Sequence, residues 1–374
     1  MHKTLKVVIL ILFAGLPIFS EVNASEYDSC TVIKKQETGK RNLVKRVLAP
    51  LYTFVKNFSK VDTNYIEPQK YNYTVMLQNT NTYELYRIST NKNNDFQFSP
   101  LPSIKIGPYL GWRWVFLGYT IDLKHLSSNK KKTEFDLSLY SSQVGLDVFY
   151  RRTGNDYKIS RMKLEPDGEV DTTPVKGVDF DGINVGIRGF NLYYIFNHKR
   201  FSYPAAFSQS TIQRRSCGSI LCGVGYTRHS LDIDWTRLYN IVEKQFGEET
   251  ASKYLDSELK STKIKYTDIS ASGGYAYNWV FAHNWLAAIS LSAAIGYKGS
   301  SSDTNKSVIN FKDFSFANFN IDGVGRMGIV WNNMRWYGGM SAVFHTYNYR
   351  KSQFYTNTLF GSVNLYVGVN FGKR

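Results

Sequence analysis

The sequence predicts an all-β fold: an antiparallel transmembrane β-barrel of about ten strands, or alternatively twelve, with an N-terminal amphipathic helix and one helical loop. Three observations lead there. In the last stretch, Ser352 to Phe371, the residues Val363, Leu365, Val367, Val369 and Phe371 alternate with Ser362, Asn364, Tyr366, Gly368 and Asn370. This is the period of a strand with an aliphatic face for lipid and a small or amide face for a lumen. The first residues have the parts of an export signal: Lys3 and Lys6, an apolar run from Val7 to Phe19, and Val22-Asn23-Ala24 as a cleavage site. Beyond that leader no window is long and apolar enough for a membrane helix, and the mean hydropathy is -0.31. Any span must therefore use strands, and only a closed barrel satisfies their backbone in lipid.

The expected organisation is a signal peptide over 1–24, a periplasmic amphipathic helical segment over 25–69, and an outer-membrane barrel over 70–374. Leu43, Val44, Val47, Leu48, Leu51, Phe54, Val55 and Phe58 repeat at helical spacing among Lys and Arg, with Pro50 as a break. Such a helix packs on the barrel rim, lies on the inner leaflet or plugs the barrel. From Tyr71 the period becomes two, and Tyr71, Tyr73, Val75, Leu77, Tyr83 and Leu85 keep one phase in a single long strand. Ile104 to Leu123 reads as one strand, although Gly107-Pro108 can bend it or split it into a hairpin. Glu134 to Tyr150 reads as a strand with a phase slip near Ser141 to Gln143, a bulge.

Arg151 to Asp181 is a polar excursion with turn chemistry, expected outside the cell. Gly182 to Phe196 and Gly218 to Tyr226 are strands, the second with Ile220, Cys222, Val224 and Tyr226 on the lipid face. Ser230 to Lys260 has helical spacing interrupted at Gly247. Five strands of similar length close the chain: Lys263–Phe281, Asn284–Lys298, Phe314–Trp331, Arg335–Tyr349 and Ser352–Phe371. Trp279, Trp285, Trp331 and Trp336 flank their short turns, where an interfacial belt would sit. Counting back from a periplasmic C-terminus puts these turns inside and Ser230 to Lys260 outside. A soluble β-sandwich, the rival architecture, would not explain Trp at the turns.

The net charge of +16 raises nucleic acid as a partner, but an exported chain does not meet it. Its Lys and Arg look scattered, and outer-membrane lipids and lipopolysaccharide are the expected partners, with the barrel assembly machinery during insertion. Cys217 and Cys222, if on one strand, lie about 17 Å apart on opposite faces, beyond disulfide or zinc-sharing reach. No cofactor or metal set is expected.

Charged residues in the inward phase are the candidate lumen lining: Glu134, Asp136 and Asp147, then Arg188, Asp268, and Asp322 with Arg326. They form either a selectivity constriction or a paired network filling a small barrel. His229-Ser230, His283 and His345 are the imidazoles near strands, and none sits in a catalytic pattern. The stretches DTNYI (62–66), YNYTVMLQN (71–79), KIGPYLGWRW (105–114) and FSYPAAFSQS (201–210) resemble a Bacteroidota family catalogued as domain of unknown function 4421. The resemblance implies an outer-membrane location and supplies no functional residues. The expected function is thus a non-enzymatic barrel, a narrow channel or a structural protein; the alternatives are a lipid-modifying enzyme or a surface-binding protein acting through its loops.

Overall fold

The computed structural model describes residues 61–90, 94–112, 115–118, 121–122, 133–153, 156–164, 170–255, 262–300, 318–351 and 354–373. The chain divides into two units, Met1–Phe54 and Val55–Arg374, and every described residue falls in the second. The export signal and the amphipathic helix lie outside the described residues. From Val61 the chain is a turn and a short strand, β1 (Ile66–Pro68).

The strands that follow are β2 (Tyr71–Thr90), β3 (Asp95–Pro100), β4 (Ser103–Trp112), β5 (Val115–Gly118), β6 (Ile121–Asp122), β7 (Thr133–Tyr140), β8 (Val144–Thr153), β9 (Tyr157–Lys163), β10 (Asp179–Phe180) and β11 (Ile183–Ile195). A short helix α1 (Tyr203–Phe207) and β12 (Thr211–Gln213) precede the long β13 (Cys217–Ile233). Helices α2 (Trp235–Phe246) and α3 (Glu248–Tyr254) lead to β14 (Thr262–Ala282), β15 (Trp285–Ser300), β16 (Phe319–Asn332), β17 (Trp336–Lys351) and β18 (Phe354–Lys373).

One antiparallel ladder runs β4-β2-β18-β17-β16-β15-β14-β13-β11-β8-β7, with β5 and β6 on the free edge of β4. The first and last long strands are neighbours, and Tyr73 stacks on Phe371 with ring centroids 5.6 Å apart. The sheet curls until inward side chains of distant strands meet: Phe149 on β8 lies 5.6 Å from Phe360 on β18. Among the described residues the ladder is not closed, since β7 pairs only with β8.

Two expectations for the early strands change. Ile104 to Asp122 is a hairpin in which Trp112 pairs with Val115, and Gly107-Pro108 sits inside β4, paired with Gln78 and Leu77. Glu134 to Tyr150 is also a hairpin and not a bulged strand. Ser141 accepts at its hydroxyl from the Val144 N–H at 2.9 Å, closing a tight turn between β7 and β8. A phase slip and a tight turn leave the same sequence trace, and the hydroxyl of Ser141 decides between them.

Outward residues form a continuous apolar belt. On β15 Trp285, Ile289, Leu291 and Ile295 are exposed, while Leu286, Ala288, Ser290, Ala294 and Lys298 are buried. From Trp285 to Tyr297 the strand covers about 40 Å, which a tilt near 40° reduces to about 30 Å, the depth of a hydrocarbon layer. Aromatic residues mark both borders: Trp279, Phe281 and Trp285 at one, Tyr297 against Phe319 at the other. A sandwich would bury this face, so that rival is set aside. No described helix is long and apolar enough to cross a membrane.

Short turns gather at the end of Tyr71 and Lys373. His283-Asn284 joins β14 to β15 with Asn284 at φ 64°, a conformation Asn tolerates. At the opposite end the strands outrun the belt. There β2 exchanges β4 for β3, and β3, β9 and β10 extend the sheet, so the excursion after Arg151 is partly strand. Helix α2 starts at Trp235, later than Ser230, because Ser230 to Ile233 still alternate as strand and Asp234 caps the helix, accepting from the Arg237 N–H at 3.2 Å. Trp235, Leu238 and Val242 bury one stripe of α2 into a large apolar core with Phe96, Phe98 and Ile233.

Candidate functional site

Among the described residues, most of the sequence-predicted site residues meet in the lumen, which is filled at two levels below the apolar core under α2. At the short-turn end, residues 197–216 fold into the barrel. Ser202 caps α1, its hydroxyl accepting from the Ala205 N–H at 3.2 Å. This aims Tyr203 and Phe207 inward, where Tyr203 bonds Ser290 through its hydroxyl and stacks on Tyr140 at 5.8 Å. Amides from both sides hold the segment to the barrel wall: Asn278 Nδ2 of the wall donates to Ser202 O at 2.8 Å, and Gln209 Nε2 of the segment donates to Tyr366 Oη of the wall at 2.8 Å. Sequence reading left 197–216 as an unassigned connection, although Asn278 and Asn332 on inward strand positions signalled a polar partner inside.

The middle level is ionic. Arg326 pairs with Asp147, which also accepts from Ser138 at 2.7 Å, and the guanidinium lies 4.9 Å over the Tyr193 ring. Lys298 donates to Asp322 at 2.7 Å and to Asn348 O at 2.5 Å. Asp268, fully buried, accepts from Thr227 at 3.4 Å. Its carboxylate occupies the space that a Cβ on Gly296 would take, which is why that inward position is glycine. Arg151 bridges Asp136 at 2.8 Å and Glu84 at 3.5 Å, and Lys105 pairs with Glu134. These last contacts join β7 and β8 to β2 and β4 through the interior, across the gap in the ladder.

Six of the seven candidate lining residues are thus in the lumen: Glu134, Asp136, Asp147, Asp268, Asp322 and Arg326. Arg188 is not. It is exposed on the outer face of β11, in phase with Phe190, Leu192 and Tyr194. The rule that a charge on a strand points inward holds only where lipid covers the outside, and Arg188 sits beyond the belt. Lys105, Arg151 and Lys298, the partner cations, were missed. Lys298 follows Ala294 and Gly296 in the inward phase and was recoverable from it. Arg151 was lost because the strand was ended at Tyr150.

His229 stacks on Tyr266 at 4.5 Å, and His345 on Phe360 at 5.1 Å. Ser230 points to the opposite face from His229, so that pair cannot cooperate. Cys217 and Cys222 share β13 and are both free thiols. Among the described residues no cluster of His, Cys, Asp and Glu is arranged to hold a metal. A cavity of 320 Å³ remains between α1 and the ionic level, reached by Gln78, Asp136, Ser138, His345 and Asn364. Its polar groups can hydrogen-bond water or a small polar molecule; no activated nucleophile faces it.

Comparison with solved structures finds low-identity likenesses. The outer membrane protease OmpT from Escherichia coli is 6% identical, with a TM-score of 0.32 over 80% of this chain and 97% of that one. The transport unit of the autotransporter AIDA-I from Escherichia coli is 10% identical, with a TM-score of 0.30 over 87% and 97%. The toluene transporter TodX from P. putida is 7% identical, with a TM-score of 0.21 over 81% and 91%. No curated protein matches. The family described as Domain of unknown function (DUF4421) matches over residues 60–371, nearly the whole of the described chain, and the protein belongs to that family.

Proposed function

We propose that this protein is an exported outer-membrane barrel of twelve strands whose lumen is closed, a structural membrane protein and not a conducting channel. β2, β4, β7, β8, β11 and β13 to β18 supply eleven strands, and β5 with β6 the twelfth, the strand that would close the ring on β7; the Lys105 to Glu134 bridge between β4 and β7 supports that closure. The observation that carries the reading is the inverted polarity of the sheet: aliphatic and aromatic residues outside, paired charges inside. Water-soluble proteins do the opposite. The plug around α1, the ionic level and the apolar core under α2 each block passage, so the charged rows act as filling and not as a selectivity filter.

The long connections lie at one end and the short turns at the other, which supports an extracellular position for α2 and α3. Delivery by a signal peptide and insertion by the barrel assembly machinery follow from this placement. Planar bilayers containing the refolded mature chain are expected to stay silent under voltage. Discrete openings of the unmodified protein would overturn the closed-lumen reading. Sidedness is checked with Glu249→Cys in a cysteine-free background: a membrane-impermeant maleimide is expected to label intact cells, and labelling only after permeabilisation would reverse it.

A further inference from the structure

Above the apolar belt, four adjacent strands turn basic on their outer faces at the same height. Phe190 and Tyr226 form the last aromatic row, directly opposite each other and stacked at 6.2 Å. One row further out Arg188 stands directly opposite Arg228. The next row runs Arg152, Gly186, Ser230, Lys265 across β8, β11, β13 and β14. Two cations thus sit below and two beside a floor of Gly186 and Ser230. A Cβ at Gly186 would meet nothing nearer than Ser230 at 3.8 Å, so the floor is open to the outside. The groove so formed has a volume of 480 Å³.

These cations are not neutralised within the described residues. Lys263 faces Asp232 at 3.8 Å, but Arg152, Arg188, Arg228 and Lys265 make no ion pair. Like charges directly opposite on neighbouring strands repel and destabilise a sheet. Arg188 and Arg228 are kept in that arrangement on an exposed face, where an external anion would relieve it. Arginine forks match phosphate oxygens in bidentate geometry.

We propose that this groove binds the phosphorylated head group of an outer-leaflet glycolipid. The choice of a lipid over a free anion rests on what lies below. Directly beneath the cations, Phe190, Leu192, Val224 and Tyr226 present an uninterrupted apolar face for acyl chains. Phosphate above and hydrocarbon below is the layout of such an amphiphile at a membrane border. The positive charge that looks scattered along the sequence is gathered here by register. The inference rests on the membrane placement proposed above, while its test reads binding independently of sidedness.

The refolded mature chain in a zwitterionic detergent is titrated with phosphorylated lipid A and with the same lipid stripped of its phosphates, and complexes are counted by native mass spectrometry. Phosphorylated lipid is expected to bind about tenfold or more tightly, as one charged hydrogen bond or more would give. Arg188→Ser with Arg228→Ser should remove that preference, and Arg188→Lys with Arg228→Lys should restore part of it. Lys199→Ser, at the opposite end, should change nothing. Heat-shifted gel mobility confirms that each variant folds, and its loss in the wild type would count against the barrel itself and not against the groove. Equal binding of the two lipids, or full binding by the serine double variant, overturns the proposal. Displacement by millimolar inorganic phosphate would make this a free-anion site and would also overturn it.

Discussion

The same strands obey opposite rules in their two halves. On β13, Ile220, Val224 and Tyr226 point out while Ser219, Thr227 and the glycines between point in. From Arg228 onward Arg228, Ser230 and Asp232 point out, and Leu231 and Ile233 point in. No bulge separates the halves, because the pairing with β14 runs without a shift from Cys217 to Ile233. In the membrane placement proposed above, only the solvent outside changes. Where hydrocarbon covers the wall, polar groups have to be satisfied inside, and the lumen fills with ion pairs. Where water covers it, apolar groups go inside, and Ile183, Val185, Ile187, Leu231, Ile233 and Ile264 join the helices in an ordinary core.

The two kinds of filling should respond differently to mutation, and the largest effect is expected in the lower half. Arg326→Ala leaves Asp147 buried and unpaired, at a cost of about 3–5 kcal/mol. Arg326→Met with Asp147→Leu should recover most of it, whereas no second truncation rescues Phe96→Ala in the apolar core. The folded fraction in urea, read by gel mobility without heating, checks both. If the double variant is as unstable as Arg326→Ala alone, the ion pair is not merely filling.

A smaller effect distinguishes the outer faces. Leu291→Arg places a charge mid-belt and is expected to cost about 2–4 kcal/mol, while Asn184→Arg, above the border and opposite Asp232, should be nearly neutral. Similar losses in both would erase the boundary drawn here.

How the sequence was legible follows the same boundary. The five C-terminal strands were readable because they lie mostly within the belt, where alternation of aliphatic and small residues is unbroken. Asp268, Asp322 and Arg326 share the inward phase of these strands for that reason. Above the border the alternation continues with its meaning exchanged, so Arg188 was placed inside and Ser230 to Ile233 was taken for helix. The plug was not legible because α1 is a single turn and a half, stabilised by partners such as Ser290 and Tyr366 that lie far away in the chain. The hairpin of β7 and β8 was blurred because its turn, Ser141 to Gln143, is as short as the phase slip of a bulge.

The smallest expected effect concerns pH at the short-turn end. Glu67 accepts from Lys70 at 2.6 Å and pairs with Arg214, tying β1 and β12 together beneath the plug. The Lys70 hydrogen bond, joined by Arg214, holds its carboxyl below the usual 4.5. A lowered folded value means the tie is fully present above 4.5 and is lost as pH falls through the lower value. Hydrogen exchange in 62–70 and 211–215 should therefore rise in that acid window, and Glu67→Gln should show the faster exchange already at pH 7. Identical exchange in the two proteins across the range would remove Glu67 from the account.

The inversion along β13 is tested most directly by single cysteines at 220, 224, 226, 228, 230 and 232 in a background lacking Cys30, Cys217 and Cys222, with a membrane-impermeant maleimide added to reconstituted vesicles. The account predicts no labelling at 220, 224 and 226 and strong labelling at 228, 230 and 232. Uniform labelling along the outward face, or a change at any other height, would contradict it.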